Sequence, residues 1–132
     1  MYHPKLVQWE RRLKKMFDRI DDYLEDTYGS RYPLHPNRPE RGTTASKEHD
    51  GLFNVGATFS AGYGSKFGRG YVIEVDMVTL AHIPDRIEEE IMQEVLQMVD
   101  RLLAEHFPER ELHVDRDRNA LKIYGEFSLG SV

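Results

Sequence analysis

The 132-residue chain has 39% hydrophobic and 31% charged residues and a net charge of −5, a balance that fits one ordinary globular domain and excludes a disordered segment. It has no cysteine, which excludes disulfides, thiolate zinc sites and cysteine nucleophiles. It shows neither an apolar run of membrane-spanning length nor a secretory leader pattern, and its acidic balance argues against sequence-blind binding of nucleic acid. The expectation is a cytoplasmic protein with no membrane partner.

In residues 4–28, Leu6, Trp9, Leu13, Met16, Ile20 and Tyr23 recur in steps of three and four, with Phe17 and Leu24 widening the stripe. That is the period of a helix with one buried face. Pro4 suits its first turn and Gly29 its end. Glu10, Arg11, Lys14, Lys15, Asp18, Asp21, Asp22 and Glu25 form the opposite face, read as solvated.

Residues 29–50 have no period, and Pro33, Pro36 and Pro39 favour extended backbone. A loop this long inside a small domain marks function or mobility. Residues 52–80 then form a hairpin. Phe53, Val55, Ala57 and Phe59 alternate with polar or small residues, as do Tyr71, Ile73, Val75 and Met77, giving two half-buried strands. Their connector, 62–70, is a glycine-rich tip too long for a tight turn.

Ile87, Ile91, Val95, Met98, Leu102 and His106 place a second helix over 84–107, with Asp85, Glu88, Glu89 and Glu90 near its N-terminus, where the helix dipole favours negative charge. A second hairpin, 110–129, turns at Asp117-Arg118-Asn119. Its inward positions are Leu112, Val114, Leu121, Ile123, Phe127 and Leu129. The order predicts a single α+β domain, an αββαββ two-layer sandwich with two helices packed on one face of a four-stranded, mainly antiparallel sheet. The other sheet face would carry Asn54, Thr58, Ser60, Glu74, Asp76, His113, Asp115, Lys122, Tyr124 and Glu126.

Charge is segregated. Between Gly29 and Gly70, Arg31, Arg38, Arg41, Lys47, Lys66 and Arg69 outnumber Glu40, Glu48 and Asp50, leaving that segment at +3 and the remainder at −8. The segment also holds eight of the ten glycines. Backbone N–H groups of Gly64 and Gly68, the Ser65 hydroxyl and the cations Lys66 and Arg69 suit a phosphate or carboxylate. Arg31, Arg38 and Arg41 offer the same chemistry from the 31–44 loop. The glycine spacing misses the dinucleotide fingerprint by one residue and no helix follows it, so the loop does not point to a dinucleotide and leaves any cofactor open.

Three functions follow as expectations. The first is a binding module for an anionic small molecule held between loops 31–44 and 62–70. The second is a small hydrolase-like enzyme in the same pocket, with His35 or His49 as general base and an arginine stabilising developing charge. The third is a self-associating protein, a homodimer formed through the polar sheet face or through Trp9, Met16, Met92 or Met98. Glu74 and Asp76, two residues apart on one strand, are a further candidate pair for a divalent metal, with Lys122 as the cation that would otherwise neutralise them.

Overall fold

Trp9, Leu13, Met16, Phe17, Ile20, Leu24 and Tyr28 lie along one stripe of α1 (Pro4–Tyr28), and all are buried. Ile87, Ile91, Val95, Val99, Leu102 and Leu103 do the same on α2 (Asp85–His106). The strands supply the facing half of the core: Phe53 and Val55 from β1 (Phe53–Ser60), Ile73 from β2 (Gly70–Met77), Val114 from β3 (Leu112–Asp117), and Leu121 and Ile123 from β4 (Ala120–Gly125). The computed structural model describes residues 4–45, 47, 49–62, 67–117 and 120–125, with side chains from residue 7 onward.

The arrangement is the expected α+β sandwich. Both helices cover one face of a four-stranded sheet in the order β1-β2-β4-β3, with every neighbouring pair antiparallel. In the second hairpin β3 continues to Asp117, and β4 is described from Ala120 to Gly125. Arg118 and Asn119 of its turn, Glu126 of the polar face, and the inward positions Phe127 and Leu129 lie outside the described residues.

Each half is a helix followed by a hairpin, and the halves meet where β2 pairs with β4. A two-fold relation normal to the sheet would generate this strand order. The helices are tied to each other as well as to the sheet. Trp9 packs on Phe107 at 4.4 Å, and Glu94 of α2 accepts hydroxyl hydrogen bonds from Tyr23 and Tyr28 of α1. Arg12 donates to the His106 carbonyl, filling one of the carbonyls that the end of α2 leaves unpaired. Trp9 and Met16 are therefore core residues, which removes them as a dimer surface.

Candidate functional site

The 29–50 loop crosses the face of α1 that reads as solvated, and two carboxylates there are buried, Asp21 and Glu25. Glu25 accepts the Phe53 N–H at 2.8 Å. Gly51 sits against the same carboxylate with φ +75°, and a Cβ there would lie 2.3 Å from Oε1. Only glycine combines that backbone with that approach. Asp50 is buried and accepts the Thr44 N–H at 3.0 Å and the Thr44 hydroxyl at 2.8 Å. Burial alone would raise the Asp50 pKa. The hydrogen bonds from Thr44 and the Gly42 N–H, with Arg38 nearby, hold it below the usual carboxylate range.

The loop cations have internal partners. Arg38 donates to the carbonyls of Gly51 at 3.0 Å, Asp50 at 3.1 Å and Phe53 at 3.3 Å. Arg41 pairs with Asp26 at 2.7 Å and Asp22 at 3.2 Å, and Lys47 reaches Asp22 at 2.8 Å. Burial would raise the Asp22 pKa, but the hydrogen bonds from Lys47 and Arg41 keep it low. The Arg31 guanidinium lies 4.7 Å from the centre of the Tyr28 ring. Arg41 and Lys47 are thus seated on the acidic face of α1, and Arg38 on main-chain carbonyls. His35 accepts the Asn37 N–H at Nδ1, at 3.1 Å, and its own N–H donates to the Val78 carbonyl. His49 is exposed.

At the tip, Gly64, Ser65 and Lys66 lie outside the described residues. Arg69 and Gly68 are exposed. The Gly68 carbonyl accepts a hydrogen bond from Lys122 Nζ, and Phe67 stacks on Tyr124 at 4.6 Å. The chain therefore folds back over the polar face of the sheet. Among the described residues, the two basic loops do not converge. The 29–50 loop joins the hairpin where Phe53 faces Met77, and the tip begins where Ser60 faces Gly70. Seven strand steps separate these ends, about 20 Å or more at the usual rise. The described residues of the two loops therefore do not form one site between them. The cause is topological, since a hairpin keeps its tip and its open end apart.

Glu74 and Asp76 are exposed and border a shallow hollow of about 240 Å³ with Asn54, Gly56 and Thr58. Lys122 is not their counter-cation. It pairs in register with Val72 and Asp115, and its amine goes to Gly68. Among the described residues, no group of three or more His, Asp or Glu side chains is placed to hold a metal.

A hollow of about 570 Å³ opens at the other corner of β2, where the chain turns into α2. Val75, Met77, Ile83, Ile91 and Met92 supply its apolar lining, and Asp76, His82, Asp85 and Glu88 its polar lining. Among the described residues, no lysine or arginine lines it. Sequence reasoning missed this site. Asp85 and Glu88 carry an adequate local explanation as partners of the helix dipole, and nothing local shows that they share a wall with Met77. The one available signal was Asp76, an acid at the end of a strand a few residues before an acidic helix start.

Comparison with known proteins gives a family without an activity. A family model described as "Uncharacterised protein" matches residues 4–125. An uncharacterized protein of Borreliella burgdorferi is 41% identical over 123 residues, covering 93% of this chain and 96% of the relative. No solved structure matches the chain.

Proposed function

The chain belongs to this uncharacterised family, and we propose that it is a binding module whose ligand is amphipathic and cationic and sits in the hollow between the end of β2 and the start of α2. The observation that carries this reading is the lining. Five apolar side chains lie beside three carboxylates, with no balancing lysine or arginine among the described lining residues. An alkyl segment buried there gains roughly 25 cal/mol per Å² of apolar area. An ammonium or guanidinium at its end meets Asp76, Asp85 and Glu88, and Met92 on α2 supplies an adaptable wall. No helix among the described residues is long and apolar enough to cross a membrane, and the cysteine-free composition suits the cytoplasm.

The test is an amide NMR titration with hexylammonium and, separately, hexanoate. Hexylammonium should shift Met77, Ile83 and Met92, and the double variant Asp76→Asn/Glu88→Gln should weaken it about tenfold. Equal response to hexanoate, or no response at millimolar hexylammonium, overturns the reading.

The anion-binding reading retreats to the hairpin tip, and what favours it there is Arg69, exposed beside Gly68. Inorganic phosphate titrated against the parent and Arg69→Ala decides it, with binding by the parent alone as the expected result. For the hydrolase reading, the Arg38 guanidinium is already engaged by the carbonyls of Gly51, Asp50 and Phe53.

A further inference from the structure

The two edges of the sheet are built differently. β3, at one edge, carries His113, Asp115, Arg116 and Asp117, the kind of charged strand that resists pairing with another chain. β1, at the other, reads Phe-Asn-Val-Gly-Ala-Thr-Phe-Ser over eight residues. It has no charge and no proline, so it lacks the usual protection of an exposed edge.

The hydrogen bonds at the start of β1 show which of its main-chain groups face outward. Phe53 gives its N–H to Glu25 and receives Arg38 at its carbonyl. Its neighbour Leu52 instead offers its carbonyl to Val78, on the β2 side. Within an antiparallel strand the outward groups repeat every second residue. Val55, Ala57 and Phe59 therefore point N–H and C=O away from the sheet. Within the described residues, no hydrogen bond reaches these groups. The free edge is thus bounded: Glu25 and Arg38 close it at Phe53, and it runs open from Val55 to Phe59.

We propose that this edge pairs with β1 of a second copy, antiparallel, about a two-fold axis at Ala57. The bounded edge selects that register. Val55 then faces Phe59 of the other copy, Ala57 faces Ala57, and each pair exchanges N–H···O=C bonds in both directions. Phe59 is 55% exposed, a high value for a ring on the core side of a strand. It rests edge-on against Tyr71 at 5.7 Å and borders a cleft of about 410 Å³ between β1 and α1, lined also by Leu13, Phe17 and Ala57. Pairing places Val55 of the second copy beside this ring and covers the cleft.

Glu10 and Lys14 are charged residues along the cleft. Lys14 lines it and pairs with Asp18 one turn on, at 3.3 Å. Glu25 stands level with Phe53, and Lys14 and Phe17 border Ala57, so α1 runs opposite to β1. A two-fold at Ala57 sets Lys14 of each copy toward Asp18 of the other. A second copy satisfies the backbone, the ring and these charges together.

The test needs no ligand: light scattering of the purified chain across concentrations up to millimolar, with variants checked for folding by circular dichroism. The parent should reach a dimer. Phe59→Lys places a charge on the edge, and Ala57→Pro removes one outward N–H without touching the β1–β2 bonds. Each should weaken dimerisation at least tenfold. The chain has no cysteine, so Ala57→Cys should form a disulfide-linked dimer under mild oxidation, while Leu80→Cys, exposed elsewhere, should not. A monomer at every concentration overturns the proposal. So does a dimer indifferent to both edge variants, or equal cross-linking at the two cysteine positions.

Discussion

The carboxylate of Glu25 on α1 accepts the backbone N–H of Phe53 at 2.8 Å, 28 residues away in sequence. This bond fixes where the long loop ends and β1 begins. Gly51, packed against the same carboxylate, lets the chain pass. Two variants test the pair. Glu25→Ala leaves a buried donor without an acceptor and should cost about 1–3 kcal/mol in denaturant unfolding. Gly51→Ala should cost about 1–2 kcal/mol from its left-handed backbone alone, with the collision against Glu25 added. In the Glu25→Ala background the collision disappears, so Gly51→Ala should cost measurably less there than in the parent. Equal costs in both backgrounds would show that the residues are not coupled.

Glu25 also shows what the amino-acid order reveals. The helical stripe from Trp9 to Tyr28 was legible because burial on a helix has a period, and the strands were legible because theirs has another. Asp21 and Glu25 fall off the apolar stripe of α1 and read as solvated. They are buried only because the 24-residue connection 29–52 returns across them. The cations of that loop were equally visible as a charge excess, and their destination was not. Whether Arg41 meets a ligand or Asp26 depends on which surface the loop crosses, and local sequence holds no record of that. The hollow at the β2–α2 corner was hidden for the same reason, since its walls come from two elements.

Arg38 holds the loop rather than a ligand, and stability measurements separate the two roles. Its guanidinium spans three carbonyls around the loop end. Arg38→Ala should lower unfolding stability by about 1–3 kcal/mol, because charge-assisted hydrogen bonds are lost and carbonyls are left unpaired. Arg38→Lys should recover less than half, since an ammonium cannot fork across them. Phosphate affinity, measured by calorimetry, should be the same in parent and variants. A variant of parental stability with weakened phosphate binding would return Arg38 to a ligand-binding role.

Asp21 gives a pH dependence with a definite sign. It is 4% exposed, and its Oδ2 is buried without a hydrogen-bond partner among the described residues. Its pKa is pushed from 3.8 up to about 7, chiefly by burial and then by the charges of Glu25 and Asp22, with Lys47 opposing. A carboxyl raised on folding binds its proton more tightly in the folded protein. Its contribution to stability is fully present below the unfolded value of 3.8 and is lost as pH rises through about 7. Asp21→Asn keeps the shape and removes the titration. Relative to the parent, this variant should gain about 1–3 kcal/mol on going from about pH 4 to about pH 8. Asp22 and Asp50 are shifted the opposite way and lose their contributions in acid, but they do so in both proteins, so the difference between the two unfolding curves isolates Asp21. A difference that stays constant across that range would mean that Asp21 does not change its protonation there.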